Sequence, residues 1–208
     1  MTVSKPQPPP LTFRTATPSD IPVLLPLIRS AYRGEFSRKG WTTEADLVAD
    51  QRIDEAGLLA KITEPDGVVF LVTEDTGSTA TTTPASPTKT ATPTKTTAPP
   101  ALSCCELLRR ADGAVAYFGL FAVDPERQAG GVGRRVLEHA ERFAVREWGV
   151  RRIEMCVIWS RAELIAWYER RGYVRTGETR AFPYEQLVGG EALRDDLYFV
   201  VLEKELSV

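Results

Sequence analysis

Phe118-Gly-Leu-Phe-Ala-Val-Asp-Pro-Glu-Arg-Gln-Ala-Gly-Gly-Val-Gly-Arg-Arg-Val-Leu137 is the stretch whose reading decides the fold. An apolar run stops at Asp124-Pro125, passes a glycine-rich turn from Gln128 to Gly133, and enters an amphipathic helix. At about 3.6 residues per turn, Val132, Val136, Leu137, Ala140, Phe143, Ala144 and Trp148 share one face. Arg134, Arg135, Glu138, Glu141, Arg142 and Arg146 take the other. Strand, loop and helix in that order aim several backbone N–H groups and the positive end of a helix dipole at one small volume. Gly130, Gly131 and Gly133 let the main chain approach a bulky anion with no Cβ in the way. The expected ligand is a phosphorylated cofactor.

Upstream, Leu11 to Ala16 reads as a short strand, and Thr17-Pro-Ser-Asp20 as a helix start with Thr17 as cap. Ile21, Leu24, Leu25 and Ile28 follow at helical spacing, while Pro22 and Pro26 predict a kink or a late start. A second helical stretch is expected from about Thr43, capped by Thr42 or Thr43, weakening towards Ile62. Val68 to Val72 is a β-branched strand. Leu102 to Arg109 and Ala114 to Val123 read as strands paired across the turn Ala111-Asp-Gly113. Arg152 to Trp159 is the next strand, and Ser160 with Glu163 forms a capping-box pattern for a helix ending at Gly172. Tyr173 to Thr176 and Leu197 to Leu202 complete the sheet. The expected fold class is α/β (α+β): a mixed, mostly antiparallel sheet of about seven strands flanked by about four helices.

The chain has 208 residues, 43% of them hydrophobic, enough for one domain with a substantial core. We expect a flexible stretch at residues 1–10 and a single domain from residue 11 onward. Residues 76–101 interrupt it with a Thr-, Pro- and Ala-rich run, read as a disordered surface insertion between two strands of one sheet. Basic and acidic residues nearly cancel, 26 against 28, and no basic stripe or polybasic patch suggests nucleic acid or a membrane surface. No apolar run approaches the ~20 residues of a spanning helix, and a cytoplasmic location is the expectation. Cys104, Cys105 and Cys156 lack metal-site spacing, so reduced thiols and no metal are expected.

From Ala114 to Gly177 the chain resembles the GCN5-related N-acetyltransferase (GNAT) superfamily. Gln128-Ala-Gly-Gly-Val-Gly133 matches that family's [Gln/Arg]-x-x-Gly-x-[Gly/Ala] pyrophosphate loop, five residues after Val123. Ala162-Glu-Leu-Ile-Ala-Trp-Tyr-Glu-Arg-Arg-Gly-Tyr173 looks like the helix ending Tyr-Glu-x-x-Gly-[Phe/Tyr]. The resemblance implies acetyl transfer from acetyl-coenzyme A (acetyl-CoA) to an amine. Gln128, Ala129, Gly130, Gly131, Val132 and Gly133, with Arg134, would hold the pyrophosphate. Phe121, Ala122 and Val123 would offer a strand edge to the pantetheine arm and an N–H to the thioester carbonyl. Tyr168 occupies the family's usual place for a tyrosine near the cofactor sulfur. Seven residues before it, where the family often has asparagine, stands Arg161, a contact for the cofactor phosphates or a departure from the pattern.

A primary amine is about 99.9% protonated at neutral pH and must lose a proton before attack. His139, the only histidine, lies on the flank of its helix and reads as a boundary residue. Glu35 and Glu154 are the carboxylate candidates. Glu154 projects from its strand with Cys156 and Ile158, opposite Ile153, Met155 and Val157, so it has either an arginine partner or a raised pKa. Arg33, Glu35 and Trp41 are the candidate acceptor contacts, because the first two helices and their connection commonly wall the acceptor pocket in this superfamily. A small or amino-acid-like amine is the expected acceptor. A protein N-terminus or lysine, and a non-catalytic CoA-binding module, are the alternatives; a homodimer stays open. A dinucleotide site is disfavoured because Gly131-Val-Gly133 is followed by Val136 where a third glycine would stand. Deleting residues 78–99 is expected to leave both the melting temperature and the activity nearly intact; a large loss of either would show that the insertion packs.

Overall fold

A computed structural model describes residues 9–75, 100–110 and 113–207. The stretch 1–8, most of the Thr/Pro/Ala-rich segment, and residues 111–112 of the expected turn lie outside the described residues. The framework is a sheet in the order β1-β3-β4-β5-β6-β9-β7. Its strands are β1 (Leu11–Thr15), β3 (Gly67–Glu74), β4 (Ser103–Arg109), β5 (Val115–Val123), β6 (Arg152–Ile158), β7 (Val174–Ala181) and β9 (Tyr198–Glu205). Only β5 and β6 run parallel, so the expected mixed, mostly antiparallel sheet of seven strands is what forms. Strands β3 and β4 pair directly, Val72 opposite Ser103, so the segment between them joins sheet neighbours.

Alternation along the strands separates two cores. Phe70, Cys105, Phe118, Ile153, Met155 and Val157 face α4 (Val132–Trp148) and α5 (Ala162–Glu169). Val69, Leu71, Cys104, Leu120 and Ala122 face α1 (Ile21–Tyr32) and α3 (Glu55–Ile62). The period of two sends successive residues to opposite layers. On α4 the expected face is the buried one, from Val132 to Ala144. His139 is half-buried on its flank, its ring stacked 4.0 Å from Phe13 and edge-on to Phe70 at 4.9 Å.

The late start of the first helix follows from its prolines. Pro18–Asp20 forms one tight turn with the Thr17/Asp20 capping box intact, and α1 begins only at Ile21. Arg14 grips both oxygens of Asp20 at 2.6 and 2.7 Å, which with the Thr17 bonds holds that carboxyl well below the usual range.

Other expectations are corrected. No helix begins at Thr43: its hydroxyl bonds Ser37 and accepts from the N–H of Ala45, closing a local turn instead. A one-turn α2 (Gly34–Ser37) comes first, and α3 starts at Glu55, where the Asp54 carboxylate caps the N–H of Gly57 at 2.7 Å. Ser160 does not cap α5, whose boundary residue is Arg161, and its buried hydroxyl has no partner among the described residues. A small second sheet pairs β2 (Val48–Ala49) with β8 (Glu191–Ala192). No helix among the described residues is long and apolar enough to cross a membrane.

That second sheet tolerates no side chain at Gly190, where a Cβ would lie 2.0 Å from the carbonyl oxygen of Ala49. Gly190→Ala is expected to cost roughly 1–3 kcal/mol. Urea unfolding should show a lower midpoint at unchanged m-value; an unshifted midpoint would mean that the pair yields freely.

Candidate active site

The site begins as a fault in the sheet. Strands β5 and β6 pair only at Val115–Arg152, Ala116–Ile153 and Tyr117–Glu154, then part, although both continue for several residues. The partner on the other side explains why. Between Cys104 and Glu106 of β4 the register slips, and Leu120-Phe121 of β5 forms a bulge. Leu120 takes φ 45°, a left-handed conformation that a branched side chain rarely adopts. A bulge bends and twists its strand, here turning β5 away from β6. Into the gap opens a cavity of about 380 Å³.

One end of the cavity is the glycine-rich loop. The first bond of α4 runs from the N–H of Arg135 to the carbonyl of Gly131. The N–H groups of Val132, Gly133 and Arg134 therefore precede the helical ladder and have no acceptor among the described residues. Ala129 and Gly131 hold φ values of 65° and 81°, which fold the main chain into a concave run of N–H groups suited to an anion. Open space lies where a Cβ of Gly131 would project, whereas a Cβ at Gly133 would lie 3.3 Å from the Phe121 ring. Gln128 is a strut. Its Nε2 donates to the carbonyl of Val123 at 3.2 Å, and its Oε1 accepts from the N–H of Trp41 at 3.1 Å.

Tyr168 of α5 lines the cavity and is 4% exposed. Burial pushes its pKa far above the ordinary value, so the hydroxyl stays protonated at any working pH. Beside it, Trp167 stands at 4.9 Å, with Trp41 and Phe121 within 6.5 Å of the indole. Arg171 lies on the Trp167 ring at 3.5 Å, with its Nε buried and unpartnered.

The other end is built from the connection between α1 and α3. Glu44, 6% exposed, accepts from both Arg33 and Arg161. Burial alone would raise its carboxyl, but the two guanidinium groups more than offset that and hold it below the usual range. Asp50 accepts from Arg33 Nε at 2.5 Å and is likewise held low against its burial. Removing one partner of such a buried pair typically costs about 3–5 kcal/mol, so both carboxylates are fixed as anions. Arg52 and Tyr32 complete this wall, and the Tyr32 hydroxyl donates to the carbonyl of Phe121 at 2.8 Å.

Of the residues singled out from sequence, Phe121, Val123, Gln128, Ala129, Gly131, Gly133, Arg134, Tyr168, Arg161, Arg33 and Trp41 line this one cavity. Others do not. Ala122 is buried towards α1, Val132 is core, and Gly130 can contribute only main chain. The Glu35 side chain is 89% exposed and pairs with Arg38 at 3.0 Å, outside the cavity, because the turn of α2 points it to solvent. Glu154 is clamped by Arg180 through two bonds of 2.8 Å, with Arg110 at 3.5 Å, so its carboxylate is already matched. Arg161 reaches Glu44 and Thr42 rather than the glycine-rich loop. Sequence reasoning gave no role to Asp50, Arg52 or Arg171, which also line the cavity. Three acids, Glu44, Asp46 and Asp50, followed by Arg52 were the available signal, in an otherwise ordinary loop composition. Among the described residues no three His, Cys, Asp or Glu side chains converge to hold a metal.

Residues 96–173 match the acetyltransferase (GNAT) family. That match takes in the glycine-rich loop, α4 and α5. No curated protein matches it in sequence. In fold, the chain is similar to the ribosomal-protein-S18-alanine N-acetyltransferase of Escherichia coli, at a TM-score of 0.61 and 17% identity over 95% of both chains. It is also similar to spermidine N-acetyltransferase of Vibrio cholerae in complex with CoA and spermine, at 0.61 and 14% over 94% and 95%. The likeness to N-acetylglutamate synthase of Neisseria gonorrhoeae, with CoA and N-acetyl-glutamate, is 0.55 and 18% over 95% of this chain and 35% of that one.

Gly131→Glu should raise the dissociation constant for CoA at least ~100-fold, by forcing a side chain into a left-handed position and aiming negative charge at the loop. Calorimetric titration checks this, with the melting temperature as control. Unchanged affinity would separate the loop from the cofactor.

Proposed function

We propose that this acetyltransferase moves an acetyl group from acetyl-CoA to the primary amine of a small or amino-acid-like acceptor, by direct attack on the thioester. The observation that carries the reading is the parting of β5 and β6 beyond Tyr117 and Glu154, which opens a strand edge onto a cavity bounded by the glycine-rich loop and Tyr168. Acetyl-CoA supplies the activated acyl group. The N–H groups from Gln128 to Arg134 bind the diphosphate, where a helix N-terminus and a concave main chain favour negative charge. Arg134 and Arg171 add positive charge beside them.

Main-chain groups of the bulge, Phe121 to Val123, orient the thioester and stabilise the oxyanion formed on attack. The carbonyl of Phe121 is already taken by Tyr32, which fixes that peptide plane. Tyr168 then gives its proton to the departing thiolate. A buried hydroxyl lining the cavity is poised for that transfer, and its raised pKa keeps the proton in place until a strong base appears.

The acceptor's own proton goes to solvent. Both carboxylates lining the cavity, Glu44 and Asp50, are ion-paired with arginines, and Glu35 and Glu154 are paired elsewhere. In this reading the free amine is the reacting form, present by equilibrium.

Tyr168→Phe should lower kcat by about 10²–10³-fold while leaving the acetyl-CoA dissociation constant within about threefold. For the wild type, kcat/KM should climb with pH towards the pKa of the amine. The raised tyrosine pKa predicts no fall of kcat from loss of its proton below about pH 10, the ordinary tyrosine value. Thiol release assayed from pH 6 to 9 checks both. Full activity of Tyr168→Phe across that range removes the acid role, and cofactor binding without acceptor-dependent turnover favours a binding module.

A further inference from the structure

The acceptor end of the cavity carries an unmatched charge. Three guanidinium groups line it there, those of Arg33, Arg52 and Arg161, against two carboxylates, Glu44 and Asp50. Both carboxylates are bound by Arg33, and Glu44 also by Arg161. Among the described residues Arg52 forms no ion pair. It feels Glu44 and Asp50 only through space, and its guanidinium stands over the Tyr32 ring at 4.9 Å. A cation–π contact holds a guanidinium in place without neutralising it.

The backbone is strained to put it there. The N–H of Ile53 donates to the carbonyl of Gln51 at 2.7 Å, a three-residue turn with Arg52 at its apex and φ 66°. Turns of this form are rare, and a left-handed arginine costs on the order of 1–3 kcal/mol unless the surroundings impose it. They do. Gln51 N–H is bound by Val188 at 2.8 Å, and Arg29 donates to the carbonyl of Ile53 at 3.1 Å, fixing the residue on each side of the apex. A partly buried cation, aimed into a cavity and left without a counter-ion, is a binding group for an anion.

We propose that Arg52 binds a carboxylate of the acceptor, which makes the substrate of this acetyltransferase a carboxylate-bearing amine of amino-acid type rather than a polyamine. The inference rests on the acetyl-transfer reading and narrows its acceptor. A guanidinium presents two parallel donors that match a carboxylate, whereas a polycation would meet surplus positive charge on this wall. The phosphates of the donor are served from the opposite end, by the N–H groups at the start of α4 with Arg134 and Arg171.

The test pairs L-amino acids with their α-amides, adds spermidine, and measures acetyl-CoA-dependent thiol release alongside calorimetric titration of acetyl-CoA. Wild-type enzyme should favour a free acid over its amide by about 10- to 100-fold in kcat/KM, the range of a hydrogen bond to a charged group. Arg52→Met should bring that ratio near one by raising KM for the acid, with acetyl-CoA affinity unchanged; Arg52→Lys should keep part of the preference. Should Arg52→Met not fold, the wild-type ratio and Arg52→Lys decide alone. Amides or spermidine turned over as well as the acids, or a preference that survives Arg52→Met, overturns the proposal. So does a protein that titrates with acetyl-CoA yet acetylates no acid, and there the cofactor reading stands. A protein that does not titrate with acetyl-CoA loses both readings together.

Discussion

The bulge at Leu120-Phe121 is the constraint on which the site depends. A regular ladder would have zipped β5 to β6 along their full length, burying every main-chain donor and acceptor of both. One extra residue in β5, where Leu120 and Phe121 lie opposite Cys105 of β4, turns β5 outward, and the parallel pairing ends after Tyr117–Glu154. The cost is a branched residue in a left-handed conformation, held by burial of Leu120 among α1-facing apolar side chains. In exchange the sheet gains an unpaired edge inside the protein, shielded from the edge-to-edge association that threatens such an edge on a surface. An extended acyl carrier can lie along it.

Two kinds of force shape the two ends of the opening. At the glycine-rich loop the main chain does the work, through orphan N–H groups and left-handed φ values, and side chains mostly brace it, as Gln128 does. At the acceptor end the reverse holds. The segment from Trp41 to Arg52 has little regular structure of its own and is held by arginine–carboxylate pairs across to α1 and α5. Buried ion pairs are poor sources of net stability but specify geometry, because the desolvated charges accept few alternative partners. Trp41 joins the two regimes, its N–H held by Gln128 and its ring near Trp167.

Much of the fold was legible in the chain because local signals agreed with global ones. The face of α4 and the alternation of β6 each have one reading, and the structure follows it; of the kink or late start that the prolines predict, the late start is what forms. The conformation of the glycine-rich loop was legible for the same reason: it is set by the main chain, which a short motif dictates. The acceptor end was not. Glu154 and Glu35 were both visible as carboxylates, but whether a carboxylate is free depends on arginines distant in sequence, such as Arg180 opposite Glu154. Thr43 had the composition of a helix cap, and a bond to Ser37 diverted it. Arg52 could not be told from any surface arginine until the turn around it was known.

Tyr32 gives these halves a shared hinge-pin. Its ring carries the guanidinium of Arg52, and its hydroxyl grips the carbonyl of Phe121 in the bulge. Whatever occupies this end of the cavity therefore leans on the same side chain that steadies the bulge of β5. The two ends of the opening are in this way mechanically one part. Grafting the 41–52 segment onto another scaffold of this fold would carry over only half of the joint, and a transplant without Tyr32 and its bulge would alter which amine binds without preserving how well the acyl group is presented to it.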